Sequence, residues 1–116
     1  MKSEGKQCCF YQYVSDSVLG LLTVLLKSVF GEAYNIADES GDIALRDLAE
    51  LIACQSGHKV VFNLPSVVES VGFSTATKAR LDGTKLRNLG WTPTYDIVTG
   101  VSLNFHCMCQ FGFERV

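Results

Sequence analysis

Basic side chains are in no excess in this sequence. Ten lysines and arginines stand against twelve acids, for a formal charge of -2. That balance excludes a typical nucleic-acid binder, whose affinity comes from counterions released by a basic face. A paired-cysteine metal motif is also missing. Of five cysteines, Cys8 and Cys9 are adjacent, Cys54 is alone and Cys107 and Cys109 are one residue apart, so no Cys-x-x-Cys spacing exists. His106 with Cys107 and Cys109 is the nearest approach to a ligand set, and these read as buried or incidental thiols rather than a zinc or redox centre. An odd number of unpatterned thiols points to a reducing, cytoplasmic location. Long apolar runs are absent too. The most apolar stretch, residues 18–30, is shorter than the roughly 18 residues a membrane span needs and is interrupted by Lys27. The segment MKSEGKQ has no apolar stretch behind its lysines, which argues against a signal peptide. Internal repeats and low-complexity linkers are lacking, so the expectation is one unit over residues 1–116.

What is present is apolar material and segmental charge. The 116 residues are 47% hydrophobic and 19% charged, enough for one core. Residues 32–50 hold six of the twelve acids, whereas residues 78–87 hold Lys78, Arg80, Lys85 and Arg87 against Asp82 alone. Such clusters are ordinarily solvated faces, and the basic one has the right sign for an anionic ligand.

Periodicity predicts short strands alternating with helices. Residues 9–14 read as a strand, and Ser15 or Asp16 as the cap of a helix running to about Val29, buried on most sides and ended by Gly31. Residues 33–37 read as a short strand covered on both faces. Leu45, Leu48, Leu51 and Ile52 recur at helical spacing, with Arg46, Asp47 and Glu50 pointing away; this helix ends near Gly57. Ala44 stands where a hydroxyl cap is common, with Asp42 the expected substitute. Residues 59–64 read as a strand closed by Pro65, residues 82–89 as a short helix opened by Asp82 and stopped by Gly90, and a final helix starts near Thr94 or Asp96. Residues 104–116 keep no clean period, and their three phenylalanines and two cysteines read as a divergent tail that packs on a neighbour or stays partly disordered.

Four of these segments, in this order, resemble the carboxyl-terminal part of the NAD-dependent nucleotide-sugar epimerases and dehydratases, in the extended short-chain dehydrogenase/reductase superfamily. Gly5, Gln7, Tyr11, Tyr13, Val14 and Asp16 are similar to that family's Gly-x-Gln-x-Arg-x-Phe-x-Tyr-Val-x-Asp segment. Gly31-Glu32-Ala33-Tyr34-Asn35-Ile36 resembles its Gly-Glu-x-Tyr-Asn-Ile strand, and residues 43–52 its Ser-Ile-x-Glu-Leu-Ala helix. Leu81-Asp82, Lys85, Leu86, Leu89-Gly90-Trp91 and Pro93 resemble its Leu-Asp-x-x-Lys-Leu-x-x-Leu-Gly-Trp-x-Pro element. The likeness covers about residues 5–103.

The resemblance implies an α/β fold, or α+β as an isolated fragment: the substrate-binding portion of an enzyme whose Rossmann core lies elsewhere. The family's chemistry is hydride transfer between a sugar carbon and NAD(P), held on a glycine-rich turn. This sequence has no such turn, and none of Tyr11, Tyr13, Tyr34 or Tyr95 has the lysine four residues on that the family's catalytic tyrosine requires. It therefore implies no cofactor bound by this chain alone, no catalytic residue, and a nucleotide-diphosphate sugar as ligand, with Gln7, Tyr11, Lys78 and Arg80 as the residues toward it. Two family arginines are replaced. Cys9 falls on one, and Gly72-Phe73-Ser74-Thr75 stands in the region of the other, where Lys78 or Arg80 is the substitute cation. An interaction module that kept the scaffold and lost the ligand contacts is the alternative reading. Partners implied are the missing Rossmann half or a second copy, the latter through an open strand edge at residues 33–37; nucleic acid and membrane are not among them.

Overall fold

The computed structural model describes residues 1–70 and 78–111. Strand β1 (Cys8–Phe10) leads into helix α1 (Val14–Lys27). A 3-10 turn (Glu39–Gly41), strand β2 (Asp42–Ala44) and helix α2 (Leu45–Gln55) follow. Then come a single turn of helix α3 (Val67–Ser70), strand β3 (Lys78–Ala79), a second short helix α4 (Thr84–Arg87) and the long α5 (Ile97–Phe111). The three strands form one small sheet in the order β2-β1-β3, with β2 antiparallel to β1 and β3 parallel to it. The fold is mixed α and β.

Several expected boundaries shift, each for a physical reason. The first strand ends at Phe10 because the Tyr11 amide turns to the Gly41 carbonyl at 3.2 Å, leaving residues 11–13 outside the ladder. Residues 33–37 and 59–64 carry no strand: the first has no ladder, and the second meets only Met1, whose ammonium donates to the Val61 carbonyl and whose carbonyl accepts the Asn63 amide at 2.8 Å. With no strand at residues 33–37, the sheet edge foreseen there for self-pairing is not available. The three-residue β2 is hidden in the sequence by the helix directly behind it. Asp42 does not cap that helix: α2 has no side-chain cap, and Asp42 instead accepts from the Arg80 guanidinium at 2.6 Å. The carbonyls of Gln7 and Gly5 take the Leu45 and Arg46 amides at 2.9 and 3.0 Å, tying the start of α2 to the strand before α1.

The short helix covers only Thr84–Arg87 of the expected 82–89, and its cap position is Gly83 with no side-chain bond; the Thr84 amide bonds to Asp82 Oδ1 at 2.8 Å just ahead of it, and Gly90 closes the turn that follows at φ +96°. Asp96 caps α5 by accepting from the Thr99 amide at 2.7 Å. That helix then runs on to Phe111, well into residues 104–116. A regular helix replaces the divergent tail as far as it is described, lying along α2 and joined to it by a 2.7 Å bond from Gln55 Nε2 to Ser102 Oγ. Residues 112–116 lie outside the described residues.

Two features contradict a self-sufficient core. Among the described residues, only Ala37, Leu86 and Trp91 are buried hydrophobics. The radius of gyration is 17.1 Å, against about 13 Å for a compact chain of this length. Most of the missing burial is on α1, which the sequence reads as covered on most sides. Only Asp16 and Gly20 of that helix are buried, and all its valines and leucines except the half-buried Val24 are exposed.

Candidate substrate-binding surface

A buried contact joins the first turn of α1 to residues 91–95. Asp16 does not cap α1; the cap position is Tyr13, with no side-chain bond. Asp16 lies one turn in, with 0% exposure, and its Oδ2 accepts the amides of Thr94 and Tyr95 at 3.0 and 2.9 Å. Its main-chain carbonyl accepts the Trp91 indole N–H at 3.0 Å. One residue of the first segment thus holds the chain on both sides of Pro93. Gly20, one turn further along α1, makes room for this: a Cβ there would meet Ile36 Cγ2 at 3.1 Å and Trp91 Nε1 at 3.4 Å.

The remaining segments interlock in the same way. Asn35 Nδ2 donates to the Asp82 carbonyl at 3.1 Å, and Lys85 pairs with Glu32 while lying 4.8 Å from the centre of the Tyr34 ring. The Tyr34 hydroxyl accepts the Val29 amide at 3.1 Å, fixing the turn after α1. Lys85 holds the Glu32 carboxyl below the ordinary glutamate range, chiefly by its hydrogen bond and then by its charge. Gly83 packs directly on the Ala37 carbonyl. Every polar motif residue named here is engaged in holding one segment against another.

The residues expected to meet substrate are not gathered in one place. Tyr11 lines a groove of about 220 Å³ with Gln12, Tyr13, Leu48, Tyr95 and Asn104, in which the Tyr13 and Tyr95 rings are 4.9 Å apart. Burial raises the Tyr11 phenol above the ordinary tyrosine range, and Cys9 pushes the same way. Gln12 Nε2 is buried in this region without a hydrogen-bond partner. Arg80 lines a different cavity, of about 400 Å³, with Phe10, Glu39, Asp42, Leu81 and Asp82. Three carboxylates line it beside the Arg80 guanidinium, which Asp42 contacts directly, while Arg87 lies 3.9 Å from Glu39. Gln7 is half-buried beside the start of α2. The Lys78 side chain and residues 72–75 lie outside the described residues.

Cys9 occupies the central strand, in register with Ile43 on one side and Ala79 on the other. All five cysteines are free; Cys54, Cys107 and Cys109 are exposed rather than buried. No group of three or more His, Cys, Asp or Glu among the described residues has metal-binding geometry, and no described helix is long and apolar enough to cross a membrane.

Sequence reasoning missed the role of Asp16, assigning it to a helix cap. The signal was present: Asp16 and Gly20 lie four apart on one helix face, a carboxylate and a glycine where an inward helix face ordinarily carries aliphatic side chains. No protein-family model and no curated protein matches this chain.

Proposed function

We propose that this chain is the substrate-side, carboxyl-terminal part of an NAD-dependent nucleotide-sugar epimerase or dehydratase, a piece that binds rather than reacts. The observation that supports this reading is the interlock. Residues quoted for the resemblance from separate segments (Asp16 with Trp91, Glu32 and Tyr34 with Lys85, Asn35 with Asp82) meet in pairs across the fold. A chance likeness has no reason to match up segments whose side chains then complete one another. Away from α1, Val61, Leu64, Val67, Val68 and Leu81 also stand exposed, which fits a piece that awaits a companion carrying the NAD(P) site and the catalytic tyrosine and lysine. The free thiols fit a reducing compartment such as the cytoplasm.

The experiment is calorimetric titration of the chain with uridine- and thymidine-diphosphate sugars, in parallel with the Cys9→Arg variant. A restored guanidinium on β1 supplies charge-assisted bonds to a diphosphate, so binding strengthens by about tenfold or more in the variant. Absence of saturable binding in both proteins refutes the reading. A second reading, an interaction module built on the same scaffold, draws on the thiol that stands at position 9 in place of a cation and on Asp42, which engages Arg80, the one cation among the residues lining that cavity. It is favoured if neither protein binds sugar nucleotides and a protein partner binds both.

A further inference from the structure

Helix α1 is built inside out. Viewed down its axis, the inward side carries Asp16, Gly20, Thr23 and Lys27, and Lys27 reaches back over Gly90. Thr23 satisfies itself by donating from Oγ1 to the Leu19 carbonyl at 2.8 Å. The outward side carries Val18, Leu21, Leu22, Leu25 and Leu26, which are between 47% and 80% exposed, and Phe30 stands fully exposed just past the helix end. No charged residue interrupts that side. From the fold alone, and independently of any family reading, we propose that the outward face of α1 is a self-pairing surface through which two copies of this chain form a two-fold dimer.

The area reaches the lower end of what a stable interface needs. On the outward side Val14, Val18, Leu21, Leu22, Leu25, Leu26 and Val29 leave uncovered the equivalent of roughly four whole side chains. At about 100 Å² of apolar surface each, with roughly 200 Å² for Phe30, two copies have about 1,200 Å² to bury, at the bottom of the roughly 1,200–2,000 Å² of stable interfaces. A face without charge is complementary to itself, which is what a two-fold axis demands. Val18, Leu22 and Leu25 follow the four-then-three spacing that seats one helix against another. A lipid surface fits less well. An interfacial helix needs lysines and arginines flanking its apolar face, whereas α1 has one lysine, turned to the opposite side, in a chain of net charge -2. The sheet offers little competition, since its outer strands β2 and β3 are three and two residues long.

The test is sedimentation equilibrium of the full chain over roughly 1–200 µM, the range a small interface calls for. The expected result is a concentration-dependent rise from 12.7 kDa towards twice that mass. Leu22→Lys/Leu25→Lys and Leu22→Glu/Leu25→Glu each remain monomeric, and mixing the two restores the dimer by charge complementarity. The control Val61→Lys, at an exposed valine outside α1, leaves association unchanged. The proposal is overturned by a wild-type monomer at the top concentration, by a dimer that both double variants retain, by a mixture that stays monomeric, or by equal loss in the Val61 control. Co-sedimentation with neutral phosphatidylcholine vesicles in place of dimerisation also overturns it.

Discussion

Removing the Asp16 carboxylate should separate the two ends of the fold. Its Oδ2 is the acceptor for two consecutive backbone amides, Thr94 and Tyr95, and the residue is fully buried. In Asp16→Ala both amides lose a charged acceptor at a site where water has poor access. Each such orphaned donor costs about 1–3 kcal/mol, so the loss is about 2–6 kcal/mol, and about 3 kcal/mol after partial rehydration of the part-buried amides. Against a total stability of about 5–15 kcal/mol for a folded domain, and less where so little is buried, this is a large fraction. Asp16→Asn separates the lost acceptor from the lost volume. Its amide oxygen can take both N–H groups, while its NH₂ falls where Oδ1 already has no partner, so the expected loss is about 1 kcal/mol. The assay is urea unfolding followed by far-ultraviolet circular dichroism, at one fixed protein concentration because self-association adds to apparent stability. With a slope of about 1.5 kcal/mol per molar urea, Asp16→Ala moves the midpoint down by about 2 M, or leaves the chain unfolded without denaturant. A midpoint within about 0.3 M of wild type, or an asparagine variant as damaged as the alanine one, would refute the anchor.

Acid should weaken the fold through its helix starts. The Asp82 and Asp96 carboxyls are held below their ordinary value of 3.8 by hydrogen bonds from Thr84 and Thr99. Because the folded values are depressed, this contribution is complete above pH 3.8 and is lost as pH falls through the folded values. The urea midpoint therefore drops on acidification, and the Asp82→Asn/Asp96→Asn variant shows a shallower drop; an equally steep one would remove these residues from the explanation. Gly83→Ala should cost about 1–3 kcal/mol, because the added methyl runs into the Ala37 carbonyl, a backbone atom that cannot rotate away. A thermal midpoint unchanged in that variant would show that the 33–37 segment yields more easily than its packing implies.

How much was legible in the sequence depends on where the deciding partner lies. Helix α2 was readable because its pattern is internal: Leu45, Leu48, Leu51 and Ile52 define a face whatever they pack on. Two helix ends were readable for the same reason, since Gly57 and Gly90 adopt the positive φ that side chains resist; α1 instead stops at Lys27 before an extended Ser28, and Gly31 takes its positive φ in the turn beyond. Strands at residues 33–37 and 59–64 were over-read because β composition describes a side-chain surface, not the neighbour that makes a ladder. Beyond residue 104, the loss of amphipathic period left the end of the last helix unplaced, although a helix can propagate from the capped Asp96 turn without one. The substrate candidates fared least well. Tyr11 and Arg80 are brought to different cavities, and the ion pair of Arg80 with Asp42, 38 residues away in sequence, has no local signature.

Helix α1 carries the same lesson to the level of function. Periodicity identifies which side of a helix is apolar; it does not say that the chain itself supplies the cover. Here the chain places its polar and glycine positions inward, where Asp16 and Gly20 take hold of Trp91 and the turn after it, and leaves the aliphatic side exposed. A helix arranged this way contributes its stability to the fold through one buried carboxylate and one indole, and holds its apolar surface for association. Folding and association therefore draw on opposite sides of α1. Charges placed at Leu22 and Leu25 should abolish association while leaving the urea midpoint of the monomer close to that of wild type. Asp16→Ala should collapse the midpoint at every concentration. If the outward charges unfold the monomer as thoroughly as the loss of Asp16 does, the two sides of the helix are not separable in this way.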